Sequence, residues 1–401
     1  MDKITELCTG CRACEQLCSK RAISMSENQE GFLTAVVNQD LCVDCGLCKK
    51  RCPQNADVEK LLAKKVFAAR LKDEKILYKS ASGGAFAGIA KAWIEEGGIV
   101  FGVAYDEDWN AKHICASSLA ELEPILSSKY VQADTCQSYK EVKQYLNDGK
   151  KVLFSGTGCQ IGGLKAFLKK DYANLLTVDL ICHGVASPLL FKKYIEWLGS
   201  QSGSPILEYD FRDKRNGWGL GYKYKSCTVD PYFFRFLEGY TYRESCFQCH
   251  YCKPERAGDI TIGDYWGIEK EHPAFFNTKG VSCVLVNTDK GEEVWNKYGG
   301  QFYTLESTFD QVAKHNGNLL QPTVRNNRVR DHIYDGIREP GWFGNVFAAS
   351  FHPSWHIHHK SHHIYQEIHH PQEEFLSSYM FEPICFRCIL ANIAPHYNME
   401  Q

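Results

Sequence analysis

The sequence has no long apolar run and almost no net charge. Its 401 residues contain 46 Lys and Arg against 48 Asp and Glu, a formal net charge of −2. No apolar stretch approaches the roughly 18 residues that a membrane-spanning helix needs, and no secretory leader precedes Cys8. We therefore expect no membrane span and no charge-driven binding to nucleic acid.

Cysteine, in contrast, is abundant, with 19 residues. In a large chain without a secretion signal, such a content favours metal or redox use over disulfides. We therefore expect a reducing, cytoplasmic setting.

Eight of the cysteines fall near the N-terminus in two runs of the form C-x-x-C-x-x-C-x-x-x-C. This is the spacing of bacterial two-cluster ferredoxins, in which the fourth cysteine of each run ligates the other cluster. Zinc knuckles or a disulfide knot are alternatives that the duplicated spacing disfavours. The sequence therefore predicts two 4Fe–4S clusters, one on Cys8, Cys11, Cys14 and Cys52, and the other on Cys42, Cys45, Cys48 and Cys18.

After the cysteine runs, segments of helix and strand length alternate. Residues 56–65 are charged and rich in Ala and Leu, which predicts a short helical linker. Beyond it, 66–71, 99–105, 151–154, 175–181 and 259–263 read as strands. The predicted fold class is α+β or α/β: a small ferredoxin-like two-cluster domain followed by a mixed α/β domain.

Two turns rich in Ser and Gly precede predicted helices, at residues 80–84 and 155–160. Backbone N–H groups and the helix dipole make such turns suitable for a phosphate, for example that of a flavin. The second turn matches neither the Walker nor the Rossmann fingerprint. An ordinary helix cap is the alternative for the first.

Further cysteines follow the predicted strands. Cys159 and Cys182 come at the ends of two successive strands, so we expect them to lie close in space. The C-x-x-C-x-x-C run from Cys246 to Cys252 has no local fourth ligand and would have to recruit one from elsewhere, with Cys159 and Cys182 as candidates. A third 4Fe–4S cluster, a zinc site and inert buried thiols are the alternatives.

The last seventy residues differ in composition. Nine of the fifteen histidines lie between His352 and His396, and Cys385 and Cys388 form another C-x-x-C pair. Metal binding and mere compositional bias both remain open. The sequence assigns no role to this tail.

Five motifs occur in order along the chain: KSASGG at 79–84, SKYVQ at 128–132, SGTGCQI at 155–161, CHGV at 182–185 and GDITIGD at 258–264. With them the chain resembles the beta subunit of the coenzyme F420 hydrogenase/dehydrogenase family, fused behind a two-cluster ferredoxin module. The resemblance implies four segments: the two-cluster domain at 1–58, the two parts of a flavin-binding domain at 62–148 and 149–330, and a histidine-rich tail at 331–401.

The resemblance also implies site residues. Cys159, Cys182, Cys246 and Cys249 would hold the third cluster. This chain has Gly158 where the family often has Pro, and Cys252 is additional to the usual C-x-x-C, which leaves the fourth ligand open. Contacts to FAD would come from Ser82, Gly83, Gly84, Lys129, Gly156, Thr157 and Gln160.

The function implied is that of a flavin-dependent iron–sulfur oxidoreductase, passing electrons between ferredoxin-type clusters and a two-electron carrier such as a deazaflavin. His183 could donate a proton near the flavin or simply hydrogen-bond in the core. The expected partners are a ferredoxin or another redox protein and a small-molecule redox substrate. Alternatives are a non-enzymatic polyferredoxin-type electron carrier and a related reductase of surface-polysaccharide synthesis.

Overall fold

The computed structural model describes residues 4–212, 214, 218 and 230–344. The histidine-rich part of the predicted tail, with His352, His396, Cys385 and Cys388, lies outside these described residues. The ten strands of the described part are β1 Ile23–Glu27, β2 Leu33–Val37, β3 Lys65–Leu71, β4 Ile99–Tyr105, β5 Ala111–Ala116, β6 Val152–Thr157, β7 Leu175–Leu180, β8 Ile260–Asp264, β9 Ser282–Val286 and β10 Phe302–Ser307.

Thirteen α-helices accompany these strands in the described part of the chain, several of them a single turn long. They are α1 Ala13–Leu17, α2 Leu47–Lys50, α3 Glu74–Lys79, α4 Ala85–Glu95, α5 Leu119–Leu122, α6 Ser138–Asn147, α7 Gly158–Leu168, α8 Pro188–Ser202, α9 Pro231–Leu237, α10 Ile268–Glu271, α11 Asp289–Tyr298, α12 Phe309–Ala313 and α13 Asn327–Tyr334. Within the same residues, no helix has the length and apolar character to cross a membrane.

The N-terminal region is built on an antiparallel pair, β1 and β2, with α1 and α2 following the two cysteine loops. The turn between the strands is fixed by Asn28, whose side-chain oxygen accepts from the Phe32 N–H at 2.9 Å. Gly31 in this turn has a φ of 82°, a left-handed conformation that favours glycine. The hairpin thus holds the two cysteine loops together with very little core of its own.

The rest of the described chain is organised by an eight-stranded mixed sheet in the order β10-β3-β9-β8-β7-β6-β4-β5. The central strands β4, β6, β7 and β8 pair in parallel, and the outer pairings are antiparallel. Strands β6 and β7 are almost entirely apolar and buried, as expected for parallel strands covered on both faces. The mixed α/β class is therefore confirmed, and one sheet takes strands from both sides of residue 148.

The predicted helical linker is wrong. Residues 56–65 contain no helix; Leu61 instead forms an antiparallel bridge with Arg256, and the Lys64 N–H donates to the Val286 carbonyl at 2.7 Å. An extended chain can satisfy its backbone groups against the large sheet in this way. That tertiary pairing outweighs the modest helix propensity of a few Ala and Leu residues.

The ferredoxin-like region packs against the large domain through polar side chains. Arg330, itself buried, forms a bidentate pair with Glu30 at 2.5 and 2.6 Å. Gln132 accepts from the Leu33 N–H at 2.9 Å, and Arg243 donates to the Leu33 carbonyl at 2.9 Å. These contacts fix the orientation of the cysteine loops relative to the sheet.

Candidate functional site

The first predicted cluster set is brought together, and we call it the inner ferredoxin site (Cys8, Cys11, Cys14 and Cys52). Burial raises the pKa of the Cys11 thiol to about 12, and the nearby Cys8 and Cys52 contribute in the same direction. Burial likewise raises the pKa of Cys14, with contributions from Cys11, Cys8 and Cys52. Four thiols gathered in this way would repel each other as thiolates unless a cationic centre neutralised them, as iron does.

The second set lines one cavity, and we call it the outer ferredoxin site (Cys18, Cys42, Cys45 and Cys48). Its loop turns at Asp44 and Gly46, which have φ values of 48° and 67°. The Ala22 N–H points at the Cys18 sulfur at 3.4 Å, which is the kind of donor that stabilises a cluster ligand. Cys45 is exposed, so this site is the one nearest to solvent.

The remaining predicted ligands also converge, and we call them the buried cysteine site (Cys159, Cys182, Cys246 and Cys249). All four line a single cavity. Strands β6 and β7 are parallel neighbours, which confirms that Cys159, at the start of α7, and Cys182, after β7, lie at the same edge of the sheet. Burial is the largest cause of the raised pKa of the Cys182 thiol, followed by Cys246, Cys159 and Cys249.

Cys252 lies in the same cavity and contacts two members of the site. Its sulfur donates to the Cys182 carbonyl at 3.5 Å, and the Asn318 side-chain amide donates to its sulfur at 3.9 Å. A hydrogen bond from the Cys252 thiol, with smaller contributions from backbone N–H groups, lowers the pKa of Cys249 to about 6. The structure therefore places Cys252 as a thiol partner of the ligand candidate Cys249.

Within the described residues, no group of three or more His, Cys, Asp or Glu side chains is arranged to hold a metal ion. A cubane cluster spaces its four cysteine sulfurs more widely than a single ion does. The three cysteine sites supply only thiols, are partly or wholly buried, and are joined to short loops with backbone N–H donors. Their chemistry fits iron–sulfur clusters.

The first predicted flavin turn is tightly packed. The Gly83 N–H donates to the Ser282 hydroxyl at 2.9 Å, and the Gly84 N–H donates to the Ala81 carbonyl at 3.1 Å. A side chain at Gly83 would overlap the backbone carbonyl of Ala69 on β3. The two glycine N–H groups thus already have acceptors, so a phosphate held here would need other donors.

The second turn is closed by a capping box. Thr157 caps α7, and the Gln160 side chain accepts from the Thr157 N–H at 3.0 Å. Gly156 lies beside Gln160 and His113. Thr157 also contacts the Cys159 sulfur at 3.1 Å, so this turn touches the buried cysteine site directly.

The two other predicted residues lie nearby. The Lys129 ammonium donates to the carbonyls of Pro124 and Ser127 at 2.6 and 2.9 Å, and burial lowers its pKa to about 8. Burial also lowers the pKa of His183, with Asp264 opposing and Arg212 adding to the shift. His183 is therefore a neutral imidazole at neutral pH, able to accept a proton.

Sequence reasoning missed a charged group at the ends of β7 and β8, which we call the strand-end cluster (Ser82, His183, Arg212, Lys214 and Asp264). Asp264 accepts from both Arg212 nitrogens at 2.6 and 2.8 Å and from the Trp218 indole at 2.9 Å. Lys214 donates to the carbonyls of Leu77 and Ser82, and burial lowers its pKa to about 7.

The available signal was the position of Asp264 at the carboxyl end of a central strand, where ligands of open α/β sheets bind. The partners Arg212 and Lys214 belong to a segment without helix or strand periodicity, which carried no such signal.

With this geometry in hand, the chain can be compared with known proteins. Residues 149–308 match the family described as coenzyme F420 hydrogenase/dehydrogenase, C terminus of the beta subunit, and residues 7–56 match the 4Fe-4S dicluster domain. The F subunit of the F(420)H(2) dehydrogenase of Methanosarcina mazei is 23% identical over 192 residues, which cover 44% of this chain and 53% of that protein. The chain thus spans about half the length of that curated relative.

Among solved structures, the chain is similar to a chain of the F420-reducing NiFe hydrogenase complex from Methanosarcina barkeri. The TM-score is 0.46 and the identity 19%, over 64% of this chain and 89% of that one. The two family matches cover the regions that carry all three cysteine sites. The chain therefore joins a 4Fe–4S dicluster domain to the C-terminal domain that defines the beta subunits of the coenzyme F420 hydrogenase/dehydrogenase family.

Proposed function

We propose that this chain is a flavin-dependent iron–sulfur oxidoreductase. It would exchange electrons between ferredoxin-type 4Fe–4S clusters and a two-electron carrier such as a deazaflavin, with FAD between them. The observation that carries the proposal is the convergence of twelve cysteines into three sites, one of them buried at the sheet edge beside the strand-end cluster.

The strand-end cluster supports the flavin part of the proposal. Arg212 and Lys214 place two cationic side chains where an anionic cofactor could be held at the carboxyl ends of β7 and β8. When bound there, a flavin supplies the ability to split a two-electron reaction into one-electron steps. His183, neutral and buried, can hold or accept a proton at its ring nitrogen during such a reaction.

The three cysteine sites support the electron-transfer part. The buried cysteine site is closest to the strand-end cluster along β7, since Cys182 and His183 are adjacent residues. The inner ferredoxin site follows, and the outer ferredoxin site has the exposed Cys45. The proposed order of electron carriers is therefore flavin, buried site, inner site, outer site and then a partner such as a ferredoxin.

The test begins with anaerobic purification and measurement of iron and flavin per chain. We expect about 12 iron atoms, as three cubane clusters require, and one flavin. A non-enzymatic electron carrier would contain the iron and no flavin. Reduction of the bound clusters by a series of two-electron donors, including reduced F420, would then identify the substrate class.

A pair of variants tests the flavin site. Lys214→Gln removes a cationic donor from the strand-end cluster and should abolish flavin retention while leaving the iron content unchanged. Lys279→Gln removes an exposed lysine that pairs with Glu74 and should retain flavin. Full flavin content in Lys214→Gln would place the flavin elsewhere.

A further inference from the structure

Helix α7 has a glycine-lined face that is filled by one side chain, Tyr251. A side chain at Gly158 would lie 2.7 Å from the Tyr251 Cβ, and one at Gly162 would overlap the Tyr251 hydroxyl. Residues four apart lie on the same face of a helix, about 6 Å apart along its axis. The Tyr251 ring therefore runs lengthwise along one turn of α7, in a groove that only glycine permits.

The two ends of this tyrosine reach two different cysteine sites. Its backbone follows Cys249, and its N–H points at the Cys249 sulfur at 3.4 Å, within the buried cysteine site. Its hydroxyl donates to the Pro53 carbonyl at 3.5 Å, next to Cys52 of the inner ferredoxin site. The side chain is buried, so protein rather than solvent fills the space between the two sites.

The same helix brings the two sites close together. A side chain at Gly163 would lie 3.1 Å from the Cys11 sulfur, so Cys11 packs directly on α7. Cys159 lies four residues before Gly163, one helical turn or about 6 Å away along the axis. Cys159 is also near enough to Cys11 to contribute to the raised pKa of the Cys11 thiol, whose main cause is burial.

We propose that Tyr251 is the bridge through which electrons pass between the buried cysteine site and the inner ferredoxin site. The proposal rests on the proposed function, because it requires a cluster at each site. One electron leaves the cluster that is oxidised and enters the cluster that is reduced. No bond forms or breaks, no proton moves, and Tyr251 itself is neither oxidised nor reduced; its aromatic ring supplies a covalent path along α7.

A second tyrosine makes the proposal specific. Tyr139 also packs on α7, and its hydroxyl donates to the Gln160 carbonyl at 2.8 Å. If any aromatic side chain on this helix served equally well, replacement of Tyr139 would have the same effect as replacement of Tyr251. The geometry assigns the bridge to Tyr251, since its backbone and hydroxyl contact members or neighbours of both sites.

The experiment compares Tyr251→Phe, Tyr251→Leu and Tyr139→Leu in the full chain, purified without oxygen. Electrons are introduced by a brief photoreduction pulse, and rapid-freeze electron paramagnetic resonance follows their redistribution between the inner and buried sites. Iron content and the magnetic interaction between the reduced clusters report whether both sites are intact and equally spaced. Tyr172→Leu, which removes a tyrosine from the same apolar core, controls for loss of packing.

We expect Tyr251→Leu to slow the redistribution by about tenfold while the iron content and magnetic interaction stay unchanged. Tyr251→Phe keeps the ring and should retain the original rate within about twofold, as should the Tyr139 and Tyr172 variants. If Tyr251→Leu loses iron, Gly162→Ala takes its place, because the added methyl group displaces the tyrosine hydroxyl without removing the ring; it should slow the redistribution as well.

An unchanged rate in a variant of full iron content overturns the bridge alone, as does equal slowing by Tyr139→Leu. About 8 iron atoms in the unaltered chain would mean that the buried cysteine site holds no cluster. That result would overturn the third cluster of the proposed function together with the bridge. The iron count therefore distinguishes the two failures.

Discussion

The ferredoxin sites and the buried cysteine site hold the same kind of ligand but are assembled in opposite ways. The outer ferredoxin site takes three of its four cysteines from one seven-residue run, turned by Gly46, and leaves Cys45 exposed. The buried site collects its cysteines from the start of α7, the end of β7 and the turn before β8. A local loop can therefore form its site with little surrounding fold, whereas the buried site exists only when β6, β7 and β8 are paired.

This difference also separates their roles. An exposed cluster can exchange electrons with a separate protein, while a cluster enclosed by the sheet can exchange them only within the chain. The buried position also strengthens every electrostatic interaction around it. We therefore expect variants of the large domain to affect the buried site far more than the ferredoxin sites.

The largest effect should come from the ligands themselves. Cys18→Ala should remove the cluster held mainly by Cys42, Cys45 and Cys48, because ligation crosses between the two runs, and Cys246→Ala should remove the buried one. In each case the iron content falls from about 12 to about 8 atoms per chain. Electron paramagnetic resonance identifies which cluster is lost.

Cys252→Ala is the matched control and should keep all of the iron, since Cys252 is placed as a hydrogen-bond partner rather than a ligand. Loss of iron in that variant would make it a ligand. Loss confined to the inner ferredoxin site in Cys18→Ala would contradict the crossed ligation.

A second prediction concerns a buried ion pair beneath the buried cysteine site. Arg256 pairs with Asp179 at 2.8 Å, and both side chains are almost fully buried. Arg256 also donates to the Tyr251 carbonyl at 2.7 Å, in the loop that carries Cys249 and Cys252. Arg256→Leu leaves the Asp179 charge buried and unpaired, and should lower the free energy of unfolding by about 3–5 kcal/mol.

Arg325→Leu provides the surface comparison, because Arg325 pairs with the largely exposed Glu244 and Asp331. Such pairs contribute about 0–1 kcal/mol. Anaerobic thermal unfolding of both variants, with iron analysis, measures the difference. Equal effects of the two substitutions would show that the Asp179 pair is not needed to keep the sheet edge intact.

A third prediction concerns pH. His113 on β5 is buried, its Nε2 contacts the Ser155 carbonyl at 3.0 Å, and its ring stacks on Phe154. Burial lowers its pKa to about 4. Below pH 6.5 the unfolded chain binds a proton here that the folded chain does not, so stability falls as pH falls from 6.5 to 4. The loss is about 3 kcal/mol when complete and roughly 2 kcal/mol by pH 5.

His113→Gln keeps a hydrogen-bond donor for the Ser155 carbonyl but cannot gain a charge. The difference between unfolding midpoints at pH 7 and pH 5 should therefore be smaller in the variant than in the unaltered chain. An identical difference in both proteins would mean that His113 does not titrate in this range. Comparing variant and parent at each pH removes the contribution of acid-labile clusters, which both proteins share.

The contrast between local and assembled sites also explains what the sequence could predict. The ferredoxin spacing and the strands β3, β4, β6 and β7 are legible because they depend on residues close together in the chain. The prediction that Cys159 and Cys182 approach each other is confirmed, since it needed only that two successive apolar strands pair in parallel. The strands β5, β9 and β10 were missed, being half-polar or placed between helices with no clear alternation.

The strand-end cluster could not be predicted for a related reason. Arg212 and Asp264 are separated by about fifty residues, and Lys214 reaches back to carbonyls near residue 80. Nothing in the local sequence indicates such contacts, which depend on how β7, β8 and β9 bring distant loops to one edge. The helical linker failed in the same way, through the bridge from Leu61 to Arg256.

The smallest predicted effect lies where the two kinds of site meet. Ser245 is buried beside Cys246, and its hydroxyl donates to the carbonyl of Cys8 in the inner ferredoxin site at 3.2 Å. Arg243 donates to the same carbonyl at 2.7 Å, so the acceptor keeps a partner when the serine is lost. Ser245→Ala should therefore lower the free energy of unfolding by only about 1 kcal/mol, the usual net value of one hydrogen bond.

The iron content of Ser245→Ala should stay unchanged, and its unfolding midpoint should fall far less than that of Arg256→Leu. Removing both donors, in Ser245→Ala combined with Arg243→Leu, should cost more than the sum of the two single changes, because only then is the buried Cys8 carbonyl left without a partner. Simple additivity in this cycle would indicate that the Cys8 carbonyl finds another donor, and that the ferredoxin-like region can move relative to the sheet.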